Sequence, residues 1–203
     1  MELFLIRHGR TEDNALRRYT GRRETMLDTV GEEQAEAVAW ALEPHDIRTV
    51  ICSPLMRARQ TAQRLCFIWG VLEPEFDADW TEMDFGLAAG LTHEELKAKA
   101  PEVVRGWADD WMGFTLPDGE NGAALYGRVK RGLDRIMREH AGERVAVVTH
   151  LGCIRFALSH LLHGGPERFW DYALGHGGYA HIRADEDGNK LVGLTDSLVL
   201  PAD

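Results

Sequence analysis

Two apolar runs, one near each end of the chain, stop in the same way. Leu3-Phe4-Leu5-Ile6 is followed by Arg7-His8-Gly9, and Val145-Ala146-Val147-Val148 by Thr149-His150-Leu151-Gly152. Each reads as a short buried strand that delivers a histidine to one end of a sheet. As parallel strands of one sheet, the two would bring both imidazoles to a single pocket. The carboxyl ends of strands are where open α/β sheets hold ligands. A single Arg-His at a strand end is as readily a local hydrogen-bonding pair; the second copy decides for a shared site. Gly9 removes the side chain that would block close approach of a ligand or of a second backbone segment.

The segments between these runs read as alternating strands and helices. Thr29, with Glu32 three residues later, fits a capping box with Thr29 as N-cap. Ala35, Val38, Ala39 and Leu42 then form one apolar helical face, ended by Pro44. Thr49–Cys52 is a second strand, and Ser53-Pro54 opens a helix with proline in its first turn. A strand running into a helix N-terminus offers free N–H groups to an anion. Arg57, about one turn in, leans toward that end, although a solvated basic face is the commoner meaning of Arg57-x-Arg59. The spacing from Cys52 to Arg57 or Arg59 misses Cys-x5-Arg, so Cys52 is assigned to the core. A strand or turn is expected near Glu75–Asp77. Glu82, between Trp80 and Phe85, is placed to be partly desolvated and to donate a proton; read alone, it is a surface glutamate.

Residues 91 to 140 read as a helical lobe over the sheet. Thr92 and Glu95 form a capping box, Pro101 marks a break, and Val104, Trp107 and Trp111 make one helical stripe for packing rather than for a cofactor. After the turn Pro117–Asn121, a long amphipathic helix carries Leu125, Val129, Leu133, Ile136 and Met137 and closes at Gly142. A helix over 153–163, with Ile154, Ala157, Leu158, Leu161 and Leu162 inward, stops at Gly164-Gly165-Pro166. Ala180–Ala184 and Lys190–Leu194, joined through Asp187-Gly188, form a terminal hairpin. His160 and His163 have chelating spacing but no third ligand nearby, and read as a helix-surface pair.

Composition limits the partners. With 203 residues, 44% hydrophobic and 28% charged, the chain is expected to be one globular domain, neither disordered nor membranous. No apolar run approaches the ~20 residues of a membrane span, and the N-terminus has no secretory pattern. Cys52, Cys66 and Cys153 are an odd, unclustered set, expected as free thiols in a reducing compartment, hence the cytoplasm. A net charge of −10 argues against nucleic acid or an anionic membrane. It leaves room for an anionic substrate in a locally basic cleft.

Arg7, His8, Arg57, Glu82 and His150 together suit phosphoryl transfer. Two guanidinium forks match a tetrahedral dianion. One histidine attacks phosphorus as a neutral imidazole, provided that a backbone carbonyl holds its other nitrogen as N–H. The second histidine helps to hold the oxygens, and Glu82 supplies the proton for the leaving alkoxide. Positioning and charge neutralisation suffice for this chemistry, so no metal is required.

Here the chain resembles the histidine phosphatase (phosphoglycerate mutase-like) superfamily. The resemblance is carried in order by Leu5-Ile6-Arg7-His8-Gly9-x-Thr11-x-x-Asn14, Ser53-x-Leu55-x-Arg57-Ala58-x-Gln60-Thr61-Ala62, Glu82-x-x-Phe85-Gly86 and His150-x-Gly152-x-Ile154-Arg155. It implies a three-layer α/β/α sandwich with a mostly parallel sheet and a helical insertion, about 87–140, over the site. It implies His8 as the phosphorylated residue, Glu82 as acid and then base, and Arg7, Arg57 and His150 as the phosphate clamp. Asn14, Thr20, Gly21 and the N–H of Leu151 are implied as substrate contacts, with no metal and no cofactor.

Within the family, the Trp107–Trp111 stretch and the chain length look most similar to bacterial α-ribazole phosphatases of cobalamin assembly. A small phosphomonoester is the expected partner, and a homodimer is compatible with the sequence. The competing readings are a cofactor-dependent phosphoglycerate mutase and a non-catalytic protein that binds phosphorylated ligands. Two departures bear on substrate. Ala88-Ala89-Gly90 stands where the family usually has Trp-Glu-Gly, which is expected to open one wall. Arg10 stands where it has glutamate, which is expected to add a cation beside the pocket.

Overall fold

The two histidine-terminated runs are neighbouring parallel strands. The structure, a computed structural model, describes residues 1–197. Its elements in chain order are β1 (Glu2–Arg7), α1 (Glu12–Ala15), α2 (Thr29–Leu42), β2 (Thr49–Cys52), α3 (Met56–Trp69), β3 (Glu75–Phe76), α4 (His93–Lys99), α5 (Pro101–Asp109), α6 (Gly122–Glu139), β4 (Arg144–Thr149), α7 (Leu151–His163), β5 (Tyr179–Asp185) and β6 (Gly188–Thr195). The sheet has the order β3-β2-β4-β1-β5-β6. Strands β3, β2, β4 and β1 are parallel, and the β5–β6 hairpin adds antiparallel to β1. In the central register Ile6 faces Val148 and Arg7 faces Thr149, so His8 and His150 leave the sheet side by side.

Both faces of the sheet are covered, which is why its central strands are apolar at nearly every position. Leu3, Leu5, Val145 and Val147 point into one core with α6 residues Val129, Leu133 and Ile136 and α7 residues Ile154, Ala157 and Leu158. Phe4, Ile6, Ala146 and Val148 point into the other with Val38, Ala39 and Leu42 of α2 and Ala58, Ala62 and Leu65 of α3. The expected α/β sandwich with a mostly parallel sheet is thus observed.

Several local expectations are corrected. The N-cap of α2 is Asp28, whose side chain accepts from the Gly31 N–H at 2.8 Å; Thr29 is the first helical residue. Helix α3 begins at Met56 after an extended Leu55, so Ser53 and Pro54 form a turn ahead of it. That turn leaves Ser53 free to serve the site. Trp111 lies beyond the end of α5. Of the segment 87–140, Trp107 and Ala108 of α5, Trp111 beyond it, and Gly122 and Leu125 at the start of α6 line the pocket, and α6 also packs on α7 in the layer that covers the sheet. Gly9 accommodates a second backbone segment: a Cβ there would lie 2.2 Å from the carbonyl oxygen of Gly31 at the start of α2.

Candidate active site

His8 follows β1 and is buried. Its Nδ1 lies 2.7 Å from the Gly9 carbonyl oxygen. A carbonyl only accepts, so Nδ1 carries the proton and Nε2 keeps a lone pair. Arg57 Nε donates to that lone pair at 3.2 Å, while Arg57 Nη1 and Nη2 donate to the carbonyls of Arg23 and Gly21 at 3.0 and 2.6 Å. The His8 and His150 rings meet edge-on with centroids 5.1 Å apart. The two imidazoles are therefore in contact; His8 lines the cavity, and His150 is buried behind it.

His150 is the N-cap of α7. Its Nε2 lies 2.8 Å from Ser53 Oγ, which also accepts from the Leu55 N–H at 3.4 Å. His150 Nδ1 and Arg7 Nε are buried and have no partner among the described residues. Arg7 is otherwise held by the Leu174 carbonyl at 2.5 Å and by His176 Nε2 at 2.8 Å. A buried donor left unpaired costs about 1–3 kcal/mol, so Arg7 Nε is placed to favour an acceptor in the site.

Burial and crowding by cations set the electrostatics. His8 and His150 are both pushed well below the ordinary histidine value, first by burial and then by Arg57. His176 is pushed down to about 3 by burial, Arg7, Arg10 and Arg57. Even Arg7 falls to about 10, mainly through burial. Each positive charge here destabilises the next, so a dianion is the group that relieves the site. Neutral His8 is the form able to act as a nucleophile.

Glu82 lines the same cavity, of about 620 Å³. Its Oε1 accepts from the Met83 N–H at 2.9 Å and its Oε2 from the Gly152 N–H in the first turn of α7 at 3.3 Å. Asn14 lines the cavity with Thr20 and Gly21. Its Oδ1 accepts from the Thr11 N–H at 3.1 Å, and its Nδ2 donates to Thr20 Oγ1 at 3.4 Å. Gly21 adopts φ +56°, where a side chain is disfavoured, and turns its carbonyl to Arg57. Leu151 is the first residue of α7, so its N–H has no acceptor within the helix.

Both departures from the family pattern act differently from expectation. Arg10 is paired with Asp28 at 2.8 Å and is absent from the cavity wall. Ala88 is fully buried in the core, and the wall beside it is closed by Tyr19, Phe85 and Trp107, whose rings contact one another. His176 and Arg155 were missed as site residues. Gly175-His176-Gly177-Gly178 just before β5 was the available signal for the first. The second stands one turn into α7, within a motif already quoted. Arg155 also sits over the rings of Phe169 and Trp170, and Trp111 completes this aromatic wall. Among the described residues, no group of three or more histidine, cysteine or acidic side chains is placed to hold a metal ion.

The chain is similar to known proteins in sequence and fold. The family model described as histidine phosphatase superfamily (branch 1) matches residues 3–197. A bifunctional protein of Mycobacterium tuberculosis is 39% identical over 164 residues, 80% of this chain. The chain spans only 44% of the length of that relative. The adenosylcobalamin/α-ribazole phosphatase of Escherichia coli is 30% identical over 182 residues, 90% of this chain and 89% of the relative. The crystal structure of the α-ribazole phosphatase from Shigella flexneri superposes with a TM-score of 0.89 at 26% identity, over all of both chains.

Proposed function

Since the chain belongs to the histidine phosphatase superfamily, we propose that it hydrolyses small phosphomonoesters through a phosphohistidine on His8. His8 Nε2 attacks phosphorus and forms the P–N bond while the P–O ester bond breaks, and Glu82 gives its proton to the departing alkoxide. Water then attacks the phosphoryl group. Glu82 takes a proton from that water, the P–N bond breaks, and inorganic phosphate leaves. Arg7, Arg57 and His150, with the N–H of Leu151, offset the charge of the transferring group. Asn14, Thr20 and Gly21 shape the approach, and guanidinium groups take the place that a metal ion holds in other phosphatases.

The observation that carries this reading is the fixed tautomer of His8, with Nδ1–H held by the Gly9 carbonyl and Nε2 left basic. Acid-quenched enzyme given a labelled phosphomonoester is expected to retain an acid-labile label. His8→Ala is expected to retain none and to turn over at least ~10³-fold more slowly. Equal labelling of wild type and variant would defeat the proposal. Ligand binding without turnover of p-nitrophenyl phosphate would instead establish a binding protein.

For substrate, we infer α-ribazole 5'-phosphate, in cobalamin assembly. Two observations support it: the names of the relatives, and an aromatic wall of Trp107, Trp111, Phe169 and Trp170 beside the phosphate clamp, suited to a substrate that carries a flat apolar ring. A panel of phosphometabolites is expected to rank α-ribazole 5'-phosphate highest in kcat/KM. Rapid interconversion of 2- and 3-phosphoglycerate with a bisphosphoglycerate primer would assign a mutase instead. The three cysteines are buried and unpaired, and among the described residues no helix is long and apolar enough to cross a membrane. Both fit a cytoplasmic setting.

A further inference from the structure

The loop that carries Glu82 is fastened on both sides of that residue by one partly buried ion pair. Arg128, on α6, donates through Nη1 to the carbonyls of Asp79 and Thr81 at 3.1 and 2.9 Å. Its Nη2 reaches the carbonyl of Glu82 at 3.5 Å and Glu120 Oε1 at 2.5 Å. The same Glu120 oxygen accepts from the Asp84 N–H at 3.0 Å, and the Glu120 N–H donates to the Asp84 carbonyl at 3.0 Å. Three carbonyls at or before the acid and both backbone groups two residues after it therefore end on Arg128 and Glu120. The side chains of this pair are only 14% and 13% exposed. Arg22 adds a link from the Gly21 loop, at 3.3 Å from Glu120 Oε2.

We propose that Arg128 and Glu120 are positioning residues for the proton transfer by Glu82. The inference rests on the reading of Glu82 as the acid. A side chain on an irregular loop has little else to hold it in line with the leaving oxygen, yet a general acid must lie within about 2.6–3.2 Å of that oxygen. A misplacement of about 1 Å costs on the order of 10²-fold in rate. The guanidinium fork addresses several carbonyls at once, which a lysine ammonium on a flexible stem does not reproduce. A plain stabilising brace would have the same contacts but a different kinetic signature, because proton donation matters only when the leaving group is a poor one.

The test compares kcat/KM for p-nitrophenyl phosphate and for an alkyl phosphate in wild type, Arg128→Ala, Arg128→Lys, Glu120→Gln and Glu82→Gln. Arg128→Ala is expected to lose about 10²-fold on the alkyl ester and under ~5-fold on p-nitrophenyl phosphate, whose leaving group departs without a proton. Glu82→Gln is expected to show the same selective loss, and the Glu82→Gln/Arg128→Ala double variant no further loss on the alkyl ester. Arg128→Lys is expected to recover little, and Glu120→Gln to fall between. Equal losses on both esters in Arg128→Ala and Glu120→Gln, at whatever melting temperature, overturn the proposal. A flat leaving-group dependence in Glu82→Gln overturns the acid assignment and this inference with it, while wild-type phosphoenzyme trapping reports separately on the His8 reading.

Discussion

Gly152 shows how little room the Glu82 carboxyl has. A Cβ at this position would lie 2.5 Å from Glu82 Oε1 and 3.2 Å from a methyl carbon of Leu125. Within a helix, Gly→Ala ordinarily favours folding by about 1 kcal/mol. Gly152→Ala is instead expected to displace the carboxyl and lower kcat/KM on alkyl phosphates by about 10–10²-fold, with a smaller loss on p-nitrophenyl phosphate. Steady-state kinetics on the two esters check this, and unchanged turnover of both would count against Glu82 as the acid. The same scale shows what the sequence concealed. A strand ending in histidine announces His8 and His150, because the apolar run before each is itself the signal. His176 has no such run before it. It reaches Arg7 only because the backbone at Gly177 is hydrogen-bonded to the Arg7 and His8 carbonyls.

At the scale of elements, the start of α2 is instructive. Asp28 and Thr29 are adjacent cap candidates, and the box with Glu32 favoured Thr29. Tertiary contact chose Asp28: its N–H donates to the Arg10 carbonyl at 3.0 Å, and its carboxylate pairs with the Arg10 side chain. Asp28→Ala is expected to cost about 1 kcal/mol, lowering the melting temperature by about 2–4 °C. Because Arg10 is outside the cavity, kcat/KM is expected to stay within about twofold; calorimetry and a p-nitrophenyl phosphate assay measure both. Periodicity read the buried faces of α2, α6 and α7 well, since burial repeats with the helix. It overextended α5 to Trp111, because aromatic spacing persists where the chain leaves the helix to line the cavity.

For the whole molecule, the crowding of neutral imidazoles predicts acid sensitivity. His8, His150 and His176 are all depressed in the folded state. Below pH ~6.5 the unfolded chain therefore binds protons that the folded chain refuses. Stability is full above that value and is lost as pH falls toward the folded values, about 3 for His176. Each group contributes up to about 1.4 kcal/mol per pH unit within that window. Urea unfolding at pH 7.5, 6 and 5 is expected to show a steep fall that His176→Asn reduces; a flat profile would contradict the buried neutral histidines. Inorganic phosphate or vanadate is expected to raise the melting temperature, since an anion that binds only the folded site stabilises it by mass action.

The order of apolar runs, the two strand-end histidines and the arginine-bearing helix determined the sheet-and-helix architecture and pointed to the residues proposed for the phosphate clamp. Those properties are local: a strand of period two or a helix of period 3.6 is written in neighbouring residues. What lay beyond the sequence was decided by groups far apart in the chain. The brace of Arg128 and Glu120 on the Glu82 loop, the seat of His176 on Arg7 and the capture of Arg10 by Asp28 all depend on which surfaces the sheet brings together. Pairwise contacts across such distances leave no periodic trace, because they arise only once both partners are fixed in space.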